Sequence, residues 1–125
     1  MSDRMIDREY RKALERAAAA DAIEPRARFA RFDRRTRRVI VDLRNRVRFT
    51  FPTELAEGLR GAAVDDLARL EVSPSGAGLH WPSLDVDLSL PNLMAGVFGS
   101  RSWMAHLQKR IAARSANSAA QTYVI

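Results

Sequence analysis

Residues 27–51 read ARFARFDRRTRRVIVDLRNRVRFTF, and this stretch decides the fold. Three runs, ARFARFD, RVIVDLR and VRFTF, alternate with period two and are rich in β-branched and aromatic residues, so each predicts a strand. In the first, Ala27, Phe29 and Arg31 fall on one face and Arg28, Ala30 and Phe32 on the other. In the second, Val39, Val41 and Leu43 oppose Arg38, Ile40 and Asp42. In the third, Val47, Phe49 and Phe51 oppose Arg48 and Thr50. The connections Asp33–Arg37 and Arg44–Arg46 are short, which predicts a three-stranded antiparallel meander. Asn45 tolerates a left-handed conformation, but Arg46 lacks the freedom glycine would give at a two-residue turn, so a wider turn is expected there.

Outward from this meander the chain reads as helix. Before it, Ile6, Tyr10, Ala13, Leu14 and Ala17 recur at helical spacing behind a candidate cap at Ser2, and Pro25 ends the helix. Its apolar stripe is thin, so packing against its own domain is expected, with a dimer contact left open. After the meander, Thr53 is expected to cap a short helix, TELAEGL, and a second covers about Ala63 to Arg69 with Val64, Leu67 and Ala68 inward. LEVS at 70–73 and Leu79–Trp81 form a hairpin across the Pro74–Gly78 turn. A polar turn then leads to a helix capped by Ser89 with Leu90, Leu93, Met94, Val97 and Phe98 on its apolar face. Ser100 caps the closing helix, with Trp103, Leu107 and Ile111 on one stripe and Arg101, Lys109, Arg110 and Arg114 outward. Periodicity fades after Ser115. The expected class is α+β: an N-terminal amphipathic helix over 1–24, one domain over 25–114, and a flexible tail over 115–125.

At 125 residues there is room for one modest core. With no cysteine there is neither a disulfide nor a thiolate metal site, and a cytoplasmic setting is expected. No run approaches the ~20 apolar residues of a membrane span. The net charge of +6 is unevenly spread: residues 26–48 carry ten arginines against Asp33 and Asp42, whereas residues 49–98 carry two arginines against seven acids.

Several of these segments together resemble the small bacterial domain-of-unknown-function family 2442 (DUF2442), from about Ile23 to Met104. The carrying motifs, in order, are ARFD with its basic turn, VIVDLRN, FPTELAEGLRGA, DDLARLEVSPSGAGLHWPSLDVDLSLPNLMAGVFG and SRSWM. The resemblance implies an antiparallel sheet with helices against one face. It also implies, by analogy with gene neighbourhoods of the toxin–antitoxin kind, an antitoxin-like or regulatory role. Arg46 stands where the family's hairpin turn often has glycine.

Catalytic motifs are sparse. His80 beside Asp85 and Asp87 could serve as a general base, but a half-buried histidine bonded to a turn is the expected state, and His106 is expected in solvent. Asp85 and Asp87 could bind a cation, yet they fit a solvated face next to a helix start better. No metal-ligand spacing or nucleophile elbow occurs, so neither catalytic residues nor a cofactor nor a metal is expected. Trp81 and Trp103 are expected as core anchors.

The arginine run is the sharpest signal. Arg26, Arg28, Arg31, Arg34, Arg35, Arg37 and Arg38, with Arg46 at the next turn, surround one hairpin with Phe29 and Phe32 interleaved. Such density suits phosphate neutralisation, an acidic protein partner, or a merely solvated face. No recognition helix of the helix-turn-helix type can be placed. The reading is a non-enzymatic binding protein, antitoxin-like or regulatory, with a protein partner and nucleic acid as candidates. The alternative is a phage or mobile-element inhibitor that blocks a partner's surface.

Overall fold

A computed structural model describes the backbone of residues 2–123 and the side chains of residues 6–16 and 24–116. The meander forms as its alternation dictates. Strands β1 (Ala27–Asp33), β2 (Arg38–Leu43) and β3 (Arg48–Pro52) pair antiparallel in that order. Val39, Val41 and Leu43 turn into the core while Arg38 faces water, as the sequence requires. Phe51 is buried and Phe49 half-buried on the same face; their rings lie 6.0 Å apart.

In β1 the expected faces change partway. The register slips between Ala27 and Phe29, so that Ala27 sits opposite Leu43 and Phe29 opposite Asp42. This bulge carries Ala27 onto the same inward face as Ala30 and Phe32. Ala27 and Phe32 are buried, and Phe29 is 59% exposed on the outer face with Arg31. Strict alternation would have put Ala27 and Phe29 together.

A second three-stranded sheet follows, of β4 (Glu71–Val72), β5 (Gly78–Trp81) and β6 (Val86–Ser89). Strand β6 replaces the polar turn expected there. Pro82–Leu84 makes one 3-10 turn, and Asp85 takes a left-handed conformation (φ 52°) that turns the chain back along β5. Gly76, in the β4–β5 turn, docks this sheet to the first: Ala27 N–H donates to its carbonyl at 2.8 Å. A Cβ on Gly76 would lie 2.8 Å from the Ala27 carbonyl oxygen, so the approach requires glycine.

The helices are shorter or less packed than expected, with one exception. TELAEGL gives only a 3-10 turn, Thr53–Leu55, and Thr53 does not cap it. The hydroxyl of Thr53 is buried and donates instead to the Arg37 carbonyl. Helix α2 (Val64–Ala68) presents Leu67 to the core. Helix α3 (Leu90–Met94) is capped by Ser89 and buries Leu90 and Leu93, but Gly96 at φ 85° ends it, leaving Met94 and Val97 exposed. Helix α4 (Arg101–Tyr123) continues past Ser115, because ANSAAQ lacks any helix breaker even though it lacks an apolar face. Arg110, expected outward, is half-buried.

Helix α1 (Ser2–Ile23) is amphipathic, yet Ile6, Tyr10 and Leu14 are 61%, 66% and 52% exposed, so its described stripe does not pack on the domain. The expected cap side chain of Ser2 and the side chains of the AAAA run and of the tail beyond Ala116 lie outside the described residues.

The core joins both sheets. Val39, Val41, Phe51, Leu59, Leu67, Leu79, Trp81, Leu90 and Leu93 are all essentially sealed from water. Trp81 is the largest of them, and its indole N–H donates to the Leu67 carbonyl at 3.1 Å. This satisfies the one polar atom that burial would otherwise strand.

Candidate polyanion interface

The β1–β2 connection is a built turn. Arg37 N–H donates to the Asp33 carbonyl at 2.8 Å, and the Asp33 carboxylate accepts from Arg35 N–H (3.2 Å) and the Thr36 hydroxyl (2.8 Å). The Thr36 hydrogen bond is the main reason the Asp33 carboxyl is held below its ordinary pKa; it outweighs the opposing desolvation, and the Arg35 amide and the charges of Arg31 and Arg35 add to it. Arg37 is left-handed (φ 55°), and Thr53 N–H and hydroxyl both donate to its carbonyl. The turn thereby presents Arg34, Arg35, Arg37 and Arg38 to solvent from a braced frame.

Arg34 is the tethered member, 3.2 Å from Asp65 at the start of α2, with both side chains mostly exposed. Arg31, Arg35, Arg37 and Arg38 have no ion-pair partner among the described residues. From this turn, basic residues run along the outer face of the meander. Arg31 and Arg28 follow on β1, and the Arg28 guanidinium sits 5.0 Å from the centre of the exposed Phe29 ring. A strand of this length spans roughly 20 Å, so the track could meet several successive phosphates.

At the far end stands Arg46, left-handed at φ 72°, in a three-residue turn closed by Arg46 N–H to the Leu43 carbonyl and Leu43 N–H to the Val47 carbonyl. The Asn45 side chain accepts from Val47 N–H. The expected wider turn is thus present. Arg26 is also at this end: its carbonyl accepts from Arg44 N–H, and its guanidinium lies 3.0 Å from Glu24. The predicted set is therefore a track with two ends, not a cluster at one tip.

Two members of this surface were missed from sequence. Arg48 on β3 donates to the facing Asp42 at 2.7 and 3.4 Å. The pair holds the Asp42 carboxyl below, and the Arg48 guanidinium above, their ordinary values, through that hydrogen bond first. Cross-strand register is the signal that would have found it. Asp42 is thus a negative island among Arg28, Arg31 and Arg48. Phe32, thought to interleave with the arginines, is instead buried.

The other sequence candidates lie elsewhere. His80 faces Asp87 across the β5–β6 ladder, Nδ1 to Oδ1 at 2.6 Å, and bonds a strand neighbour where a turn was expected. Asp85 and Asp87 line a separate open cleft with Glu57, Ser89, Asn92 and Ser100; His80 does not line it. His106 is exposed on α4. No group of three metal-ligating side chains converges among the described residues. No described helix is long and apolar enough to cross a membrane.

Comparison with known proteins bears on the fold and family. A crystal structure of a protein of unknown function from Rhodospirillum rubrum ATCC 11170 is similar at 59% identity and TM-score 0.63, covering 65% of this chain and 98% of that one. A solution structure of an uncharacterized protein from Chromobacterium violaceum is similar at 28% identity and TM-score 0.61, over 75% of this chain and 90% of that one. No curated protein matches. The profile of the family described as "Protein of unknown function (DUF2442)" matches residues 27–99, which takes in both sheets and the turns between them. The chain belongs to the DUF2442 family.

Proposed function

We propose that this domain is a non-enzymatic binding module of an antitoxin-like or regulatory kind, which engages nucleic acid through its arginine meander and a protein partner elsewhere on its surface. One observation supports this above the others. Arg31, Arg35, Arg37 and Arg38 project from a hydrogen-bonded frame without carboxylate partners among the described residues, beside an exposed Phe29. Guanidiniums without a carboxylate partner meet phosphates without first giving up an ion pair, and an aromatic face can stack a base. The exposed stripe of α1 suits the protein partner.

The test is fluorescence anisotropy with labelled single-stranded and duplex oligonucleotides at several salt concentrations. If about four phosphates are neutralised, log K against log[salt] has a slope of roughly −3 to −4. The Arg34, Arg35, Arg37 and Arg38→Ala variant should abolish binding. Absence of any binding at low salt would sink the nucleic-acid reading.

A second reading, a mobile-element inhibitor that covers a partner's basic surface, draws on the cleft lined by Glu57, Asp85 and Asp87. Reversing those three charges, and not the arginines, would then abolish capture of the partner.

A further inference from the structure

Strand β3 is an outer edge of the first sheet, and the register shows which of its backbone groups are left unpaired. Leu43 N–H donates to the Val47 carbonyl and Thr53 N–H to the Arg37 carbonyl, at the two ends of the β2–β3 ladder. Bonded pairs alternate along an antiparallel ladder, so Phe49 and Phe51 also exchange hydrogen bonds with β2. The backbone N–H and C=O of Arg48 and Thr50 therefore point away from the sheet. No other described strand pairs with them, and both residues are exposed. Such a row of free groups is a template for another strand.

The side chains beside this edge fit a covered seam better than open water. Val47 is 53% exposed, and Phe49 is only half-buried. By alternation both belong to the inward face with Phe51. On the outer face Arg48 is already balanced by Asp42, at 2.7 Å, and Thr50 is neutral. The edge thus offers apolar side chains on one face and no unbalanced charge on the other.

We propose that β3 pairs antiparallel with β3 of a second copy about a twofold axis at Phe49, joining two three-stranded meanders into one continuous sheet. One register suits the edge. With Arg48 opposite Thr50 of the second copy, Phe49 meets its own counterpart and Val47 meets Phe51. Arg48–Thr50 pairs then form on both sides of the axis, each exchanging both of its backbone hydrogen bonds. Slipping by two residues one way sets Arg48 against Arg48, a like-charge pair. Slipping the other way sets it against Pro52, which has no amide. An unrelated extended peptide would find the same backbone groups, but a second copy also brings the apolar side chains that cover Val47 and Phe49. The contact is isologous, so it closes at two copies.

The test is sedimentation equilibrium of the full chain without nucleic acid. A seam this short lies at the small end of interfaces, below roughly 1,200 Å². A monomer–dimer equilibrium with a dissociation constant on the order of 100 μM is therefore expected, followed from about 10 μM to about 1 mM. Thr50→Pro should weaken it about tenfold or more, and since the Thr50 amide does not bond β2 the meander is spared. Val47→Lys, an exposed change, should also weaken it about tenfold or more, and it carries the test if Thr50→Pro does not fold. The chain has no cysteine, so single replacements report the register. Under mild oxidation Phe49→Cys should form an intermolecular disulfide. Val47→Cys should not, because the stagger holds those positions roughly 13 Å apart. A strict monomer at about 1 mM, a dimer unaffected by both Thr50→Pro and Val47→Lys, or faster cross-linking of Val47→Cys than of Phe49→Cys would each overturn the pairing. With no nucleic acid present, these outcomes are separate from those that test the arginine track.

Discussion

Glu57 and Ser100 are joined twice, across 43 residues of sequence. The Glu57 carboxylate accepts from Ser100 N–H at 3.2 Å and from the Ser100 hydroxyl at 3.1 Å. That hydroxyl in turn accepts from Trp103 N–H at 3.2 Å. The backbone repeats the link, since Glu57 N–H donates to the Phe98 carbonyl. The start of α4 is thus capped by its own serine and held to the loop after β3 by a remote carboxylate, where the helix dipole favours negative charge. Ser100→Ala should cost about 1 kcal/mol in urea unfolding, and Glu57→Gln less, because a neutral amide still accepts one bond. Equal unfolding midpoints for parent and Ser100→Ala would rule out the cap.

Trp81 closes the core between the sheets and hydrogen-bonds Leu67. Trp81→Phe removes volume and strands the Leu67 carbonyl, so a loss of about 2–4 kcal/mol is expected. The urea midpoint should fall with the slope unchanged.

Arg46 occupies a left-handed position in the β2–β3 turn. A non-glycine residue there costs roughly 1–2 kcal/mol, while glycine costs ~0.5–1 kcal/mol through its freedom in the unfolded chain. Arg46→Gly should therefore stabilise the domain by about 0.5–1 kcal/mol. A lower melting temperature would contradict that account of the turn.

Asp33 and Asp42 both have folded-state pKa values below the ordinary one, through Thr36 and Arg48 respectively. A depressed carboxyl contributes stability that is fully present above the unfolded value of about 3.9 and is lost as pH falls through the lower folded value. Lowering the pH from neutrality to below that range should shrink the gap in melting temperature between the parent and the Asp33→Asn, Asp42→Asn double variant. A gap that stays constant with pH would show that neither carboxylate is linked to folding.

The meander was legible because β2 alternates without interruption, so Val39, Val41 and Leu43 could be assigned inward from residue type alone. Strand β1 was harder, because the bulge at Arg28 adds a residue that no composition signals. Strand β6 was hidden for a related reason: four residues alternate too briefly to be counted, and the left-handed Asp85 that reverses the chain has no glycine to mark it. At the interface, the exposure of Arg35, Arg37 and Arg38 followed from the pattern. The pairs Asp42–Arg48 and Arg34–Asp65 depend on register and on tertiary approach, which one strand read in isolation does not contain. Arg110 was assigned to water because its helix position is polar, and only the placement of Trp103 and Leu55 shows otherwise.

The exposed stripe of α1 sets how that helix melts. With Ile6, Tyr10 and Leu14 in water, the described part of α1 draws its order from helix propensity and its own backbone hydrogen bonds, and not from a shared core. Such a helix unwinds by degrees from its ends. Far-ultraviolet ellipticity should therefore decline steadily with temperature well below the sharp transition expected in tryptophan fluorescence, giving two thermal signatures in one chain. A ligand that covers the stripe would merge them.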